Sequence, residues 1–105
     1  DAIDVVMHVD DDEICTEKAS ELIIKEKPDF VFIHLSEPDG VGHEIEYDSP
    51  EYYAELKKLD LRIGRIYDAI EEAGIADETM FMLSSDHGGT GKGHGGKSPE
   101  EIYIP

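Results

Sequence analysis

The sequence predicts an α/β fold in which a mostly parallel sheet is flanked by helices. Two observations predict it: short, nearly unbroken apolar runs alternate with longer segments whose apolar residues recur at spacings of three and four. Such runs are typical of strands covered on both faces, and strands that alternate with helices are typical of a parallel sheet. The expected order is β-α-β-loop-α-β, as in a doubly wound domain with right-handed crossovers.

The first part of the chain contains two predicted strands with a helix between them. The strands are the apolar runs at residues 3–9 and 30–35. The intervening helix, predicted over 11–27, begins with three acidic residues, which interact favourably with a helix N-terminus. Pro28 ends it, because proline cannot continue a helix.

A long helix and a third strand follow a loop. Residues 49–51 combine a capping serine, a first-turn proline and an early acid, and the apolar spacing then continues for more than four turns. Gly74 is the expected residue just beyond the helix end, so the helix is predicted over 50–73. The run at 80–83 is the third predicted strand, and residues 102–105 read as the start of another.

Composition excludes several classes of function. With 9 basic and 26 acidic residues the net charge is −17, which opposes binding to nucleic-acid polymers or anionic membranes. No stretch approaches the roughly 20 apolar residues that cross a bilayer, and the acidic start lacks a signal peptide's basic region.

A length of 105 residues allows one domain, and the single Cys15 excludes an internal disulfide. The compartment stays open, and an extracytoplasmic parent is compatible with these features.

Residues with metal-binding chemistry gather in the two loops that follow the second and third predicted strands. Ligands of open α/β sheets bind at the carboxyl ends of strands, where these loops, residues 36–43 and 84–96, should lie. Carboxylates and imidazoles together form a ligand set that Zn²⁺ or Mn²⁺ accepts. Taken singly, the loops could be a turn with a surface histidine and a flexible glycine-rich connector. Taken together they favour a metal site with the candidate ligands Asp39, His43, Asp86, His87 and His94.

Three tyrosines beside the first loop have a plainer interpretation. Tyr47, Tyr52 and Tyr53 could line a substrate pocket, but we expect them to pack the loop onto the long helix.

The two loops resemble the metal-binding signature of the alkaline phosphatase superfamily. The resemblance is carried by Asp39-Gly40-Val41-Gly42-His43, by Ser85-Asp86-His87-Gly88-Gly89 and by Gly93-His94-Gly95-Gly96. Within the superfamily the chain is most similar to type I phosphodiesterases/nucleotide pyrophosphatases and to the related phosphoethanolamine transferases. The short spacing from His87 to His94 resembles the pattern of the transferases. The similarity covers about Pro28 to Pro105. It implies two ions, usually zinc, one held by Asp39, His43 and His94 and the other by Asp86 and His87.

The resemblance also implies a function. It predicts metal-dependent hydrolysis or transfer of phosphoric esters, with a small-molecule or lipid ester as substrate. The family's nucleophilic Ser or Thr and a further metal-binding Asp are not recognisable, so the catalytic and substrate-binding residues stay unknown and the nucleophile is expected upstream. Residues 1–105 are therefore expected to be the C-terminal part of a doubly wound catalytic domain, inactive alone and prone to associate with itself. The alternatives are a phosphoglycerate mutase-like enzyme, a phosphoethanolamine transferase-like enzyme and a non-catalytic metal-binding remnant.

Overall fold

The structure, a computed structural model, describes residues 3–104. In this part of the chain it contains four α-helices and one short 3₁₀ helix. They are α1 (Asp12–Glu26), α2 (Asp39–Glu44), α3 (Pro50–Glu72), the 3₁₀ helix (Ala76–Glu78) and α4 (Pro99–Ile102). None of these helices is both long and apolar enough to cross a bilayer.

The described residues divide into two compact units. One comprises residues 3–35 and 62–77, and the other comprises residues 36–61 and 78–104. In the first unit, α1 and the second half of α3 form a small apolar core. Its buried residues are Ile23, Ile66, Ala69, Ile70 and Ala73, and Ile24, Ile33, Ile75 and Ala76 pack against them.

The ends of both long helices confirm the capping signals in the sequence. The Asp11 side chain accepts a hydrogen bond from the Ile14 N–H at 3.0 Å, which places Asp11 as the N-cap of α1. At α3, the Ser49 hydroxyl oxygen accepts from the Tyr52 N–H at 3.1 Å. Gly74 adopts a left-handed φ of 73° just after that helix, a conformation that glycine reaches without the steric cost of a Cβ.

The predicted α/β fold is wrong for this structure, because residues 3–104 form no β-strand and hence no parallel sheet. The β-type pairing within residues 3–104 is one isolated antiparallel bridge, between Thr90 and Gly93. Phe30, Phe32 and Met80, in two of the predicted strands, expose 83%, 79% and 83% of their surface. An apolar run indicates that the side chains of a segment favour burial. A strand also needs a neighbouring segment whose backbone forms hydrogen bonds with it.

Two segments form α-helices that were not predicted from the sequence. The loop expected before the long helix contains α2, and the strand expected to start at residue 102 is replaced by the end of α4. The Glu101 side chain accepts a hydrogen bond from the Ser98 N–H at 3.2 Å, as in one half of a capping box, and Pro99 lies in the first turn; both favour a helix there. The remainder of that predicted strand ends at Pro105, which lies outside the described residues.

Candidate metal centre

Helix α2 places two of the candidate ligands on one face. Asp39 and His43 are four residues apart, a spacing that brings side chains together on an α-helix. The Asp39 Oδ2 atom lies 3.5 Å from His43 Nε2. The sequence analysis identified both residues, but treated the segment as a loop rather than as the helix that sets their spacing.

The glycine-rich loop brings two more histidines to the other oxygen of the same carboxylate. Asp39 Oδ1 lies 3.9 Å from His87 Nε2 and 3.8 Å from His94 Nε2. One ligand atom from each of these three residues lies within 4.8 Å of the other two, which makes the set a candidate metal site. Asp86 lies beside it, with its Oδ2 atom 3.6 Å from His87 Nε2.

In His43 and His87, a contact with a backbone carbonyl determines which ring nitrogen is available to bind a metal. His43 Nδ1 lies 3.0 Å from the Lys92 carbonyl oxygen, and His87 Nδ1 lies 3.0 Å from the Gly88 carbonyl oxygen. A carbonyl only accepts, so each Nδ1 must carry the hydrogen in these contacts. In the neutral imidazole the lone pair is then on Nε2, the atom that faces Asp39, and this is the arrangement a metal-binding histidine requires.

The donor set fits a divalent ion such as zinc. In a tetrahedral site with bonds near 2.0–2.1 Å, ligand atoms lie about 3.3 Å apart. The separations of 3.8 and 3.9 Å from Asp39 to His94 and His87 are about half an ångström wider. The rings of His87 and His94 are stacked, with centroids 3.7 Å apart and planes 19° apart, so one ring must turn before both Nε2 lone pairs point at the same ion. The site is also accessible, since the Asp39 side chain is 41% exposed and that of His87 is 28% exposed.

The structure groups the five candidate ligands differently from the grouping that the resemblance implies. All five lie in one cluster around Asp39, but the tightest set joins His87 to Asp39 and His94 rather than pairing it with Asp86 alone. His43 lies at the edge of this set, with its ring centroid 4.9 Å from that of His94. Metal binding by these residues stays a prediction.

Tyr47 is a residue of this cluster whose role the sequence analysis missed. Its phenol donates a hydrogen bond to Asp39 Oδ1, and its side chain is buried. Burial, and then the bond to Asp39, raise the pKa of Tyr47 well above its ordinary value, so the hydroxyl keeps its proton. The expected packing also exists, since its ring centroid lies 5.4 Å from that of Tyr52. Its position eight residues after Asp39 gives no signal in the sequence that would have predicted the hydrogen bond.

The ring of Tyr47 requires glycine at position 89. A Cβ built on Gly89 would lie 2.4 Å from two carbons of that ring, which is too close for any side chain. We therefore expect Gly89→Ala to displace the ring and lower the free energy of unfolding by about 1–3 kcal/mol, measured by urea denaturation. Gly93→Ala is the matched control from the same loop, because its Cβ would meet nothing within 4 Å. Equal stability of the two variants would contradict this account of the packing.

Glu101 holds both ends of the glycine-rich loop. Its carboxylate accepts hydrogen bonds from the Gly96 N–H at 2.9 Å and the Ser98 N–H at 3.2 Å, while its backbone carbonyl accepts from the Gly88 N–H at 3.2 Å. The bond from Gly96, followed by those from Ser98, lowers the pKa of Glu101 below its ordinary value of 4.5. The loop that carries His94 is thus tied to the first turn of α4.

The lowered pKa of Glu101 predicts a pH-dependent effect on stability. A carboxyl whose pKa is depressed in the folded state stabilises the protein above its unfolded pKa, and this contribution is lost as the pH falls through the folded pKa. We expect Glu101→Gln to lower the melting temperature by a few degrees at neutral pH, with the difference from wild type shrinking as the pH falls below about 4. Thermal unfolding monitored by circular dichroism measures this, with Glu100→Gln as the neighbouring control. A difference that is constant from neutral to acidic pH would show that the charge of Glu101 is not what stabilises the loop.

Comparison with known proteins identifies relatives of the chain. The sequence profile of the type I phosphodiesterase/nucleotide pyrophosphatase family matches residues 4–92. GPI ethanolamine phosphate transferase 1 of Saccharomyces cerevisiae is 31% identical over 83 residues, which are 78% of this chain and 9% of that protein. Ectonucleotide pyrophosphatase/phosphodiesterase family member 1 of Mus musculus is 35% identical over 63 residues, 60% of this chain and 7% of that protein. The human family member 7 is 30% identical over 66 residues, 63% of this chain and 14% of that protein.

The chain therefore spans only 7–14% of the length of these three relatives. No solved structure matches it.

Proposed function

The chain belongs to the type I phosphodiesterase/nucleotide pyrophosphatase family of the alkaline phosphatase superfamily, and we propose that it supplies metal ligands for the hydrolysis or transfer of phosphoric esters. The proposal rests mainly on the convergence of Asp39, which lies in α2, with His87 and His94, which lie in the glycine-rich loop distant in sequence. Three further features support it: the histidine hydrogen bonds that leave Nε2 free, the separations close to those of a metal site, and the exposure of the cluster to a substrate.

Each side chain has a distinct part in the proposed site. Asp39 supplies negative charge at the centre of the cluster, and the imidazole rings of His87 and His94 add nitrogen donors. His43 and Asp86 flank these three residues and would complete the ligands of two zinc ions, or of manganese in their place. A bound divalent ion supplies Lewis-acid stabilisation of the charge that develops on phosphoryl oxygens.

The serines next to the cluster are engaged elsewhere and do not suit the part of nucleophile. The Ser84 hydroxyl donates to the Ser85 carbonyl oxygen at 2.9 Å, and the Ser85 hydroxyl donates to the His87 carbonyl oxygen at 2.5 Å. Nucleophilic catalysis needs a hydroxyl paired with a base or a cation. Neither serine is therefore assigned as the nucleophile. As the family resemblance implies, we expect the nucleophile upstream of this chain, and the 105-residue chain should bind zinc without turning over an ester.

An assay of the gene product that carries this chain tests the function. We expect chelator-treated protein to regain cleavage of bis-p-nitrophenyl phosphate when zinc is restored, and Asp39→Asn to abolish that recovery. Cleavage that survives both the chelator and the substitution would contradict the proposal. Turnover by the 105-residue chain alone would place the nucleophile within it, with Thr90 the first residue to test.

Transfer to an alcohol is a second candidate that specific observations favour. The match to the yeast ethanolamine phosphate transferase covers 78% of this chain, compared with 60% for the mouse pyrophosphatase/phosphodiesterase. Adding an alcohol acceptor to the same assay separates the reactions, because transfer forms a new diester and hydrolysis forms a monoester. An exclusively monoester product would rule out transfer to that acceptor.

A further inference from the structure

We propose that Tyr47 is a positioning residue that orients the Asp39 carboxylate for metal binding; this inference depends on the metal site of the proposed function. The phenol donates its hydrogen bond to Asp39 Oδ1, the oxygen that also faces the Nε2 atoms of His87 and His94. A carboxylate on a short side chain can rotate, and one directed hydrogen bond restricts that rotation. Partners that hydrogen-bond to a ligating carboxylate fix its orientation in this way.

The backbone and ring of Tyr47 are held by both ligand-bearing segments. Its N–H donates to the Gly91 carbonyl oxygen at 2.7 Å, which ties it to the glycine-rich loop. Its ring lies so close to Gly42 and Gly89 that a Cβ on either residue would come within 2.6 Å of a ring carbon. Gly42 precedes His43 in α2, and Gly89 follows His87 in the loop, so the ring packs between the two sources of ligands.

The ring and the hydroxyl of Tyr47 make separate contributions. The ring fills the space between α2 and the glycine-rich loop, whereas the hydroxyl acts only on Asp39. Tyr47→Phe removes the hydroxyl and keeps the ring. If Tyr47 positions Asp39, the Tyr47→Phe variant should bind metal more weakly than wild type while its stability stays the same.

The chain offers a matched control for the hydroxyl. Tyr53 also donates its phenolic hydrogen to a carboxylate, that of Asp48, but its side chain is exposed and neither residue belongs to the metal cluster. Tyr53→Phe thus removes the same type of hydrogen bond away from the site. If loss of any tyrosine–aspartate hydrogen bond weakened the protein generally, the two variants would behave alike.

The experiment measures zinc affinity by competition with a chromogenic chelator, together with the metal-free melting temperature, for the 105-residue chain and both variants. We expect Tyr47→Phe to weaken zinc binding about 10- to 100-fold with little change in the metal-free melting temperature, and Tyr53→Phe to match wild type. Visible absorption of the Co²⁺-loaded proteins provides a second readout, because it reports the metal's coordination. It should differ from wild type in Tyr47→Phe alone.

Two results would overturn the inference, and they can be told apart. If wild type binds zinc and Tyr47→Phe binds it equally well with the same Co²⁺ spectrum, Tyr47 does not position Asp39 and the proposed function is unaffected. If wild type binds neither zinc nor Co²⁺, the metal site of the proposed function fails, and the role of Tyr47 fails with it.

Discussion

Asp39→Asn should weaken zinc binding by more than the roughly 100-fold that loss of a supporting hydrogen-bond partner can cost, because Asp39 is expected to be a direct ligand. Both of its oxygens face histidine Nε2 atoms, at 3.5 Å for His43 and at 3.8 Å for His94. Asparagine has nearly the same shape and can still accept the hydrogen bond from Tyr47, but it removes the negative charge with which Asp39 would attract and bind a divalent cation. Chelator competition measures the change.

The matched control for this substitution is Asp48→Asn. Asp48 also accepts a phenolic hydrogen bond, from Tyr53, and it lies outside the metal cluster. The Asp48→Asn variant should bind zinc with the same affinity as wild type. Zinc binding by Asp39→Asn that is as tight as that of the control would contradict the central place of Asp39.

Ile66→Ala should lower the free energy of unfolding by about 2–5 kcal/mol, the usual cost of removing a large buried aliphatic side chain. Ile66 is only 4% exposed and belongs to the core cluster of the first unit. That cluster has five buried residues, all of them isoleucine or alanine, so few other contacts can compensate for the cavity. Urea denaturation followed by circular dichroism gives the difference in free energy.

Leu61→Ala is the comparison on the same helix. Leu61 is 69% exposed, and surface substitutions of this kind usually change stability by no more than about 0.5 kcal/mol. If the two variants unfold at the same urea concentration, Ile66 is not part of the packed core of the folded protein.

Helix boundaries could be predicted from the sequence because their signals are local. The acidic cap of α1, the Ser49 cap of α3 and the glycine after α3 each act within a few residues of the helix end. Predicting α2 needed more, because its segment contains two glycines and reads as a turn. Asp39 and His43 were proposed as ligands from their chemistry, without the helix that holds them.

The strands could not be predicted correctly because their formation depends on distant parts of a chain. The runs containing Phe30 and Met80 have the composition of buried strands, yet both residues are 83% exposed in the structure. Composition records what a segment requires from its surroundings, whereas a sheet forms only when another backbone is available to pair. The same limit applies to Tyr47, whose ring position depends on the packing of α2 against the glycine-rich loop.

The candidate site was proposed from residue chemistry alone, because residue types limit what a site can bind, and metal binding there stays a prediction. Aspartate and histidine beside glycine-rich turns are recognisable as metal ligands whether or not a sheet carries them. Their grouping was less predictable: His87 lies with Asp39 and His94, a contact that depends on the path of the glycine-rich loop.

Zinc K-edge X-ray absorption of the zinc-loaded chain tests most directly whether Asp39, His87 and His94 form a metal site. Zinc bound by these three residues should show a shell of nitrogen and oxygen atoms at about 2.0–2.2 Å, with the multiple-scattering pattern of imidazole and no sulfur near 2.3 Å. Asp39→Asn should lose this pattern, whereas Asp48→Asn should keep it. A zinc–sulfur contact from Cys15, or a shell of oxygen atoms without imidazole scattering, would contradict the account.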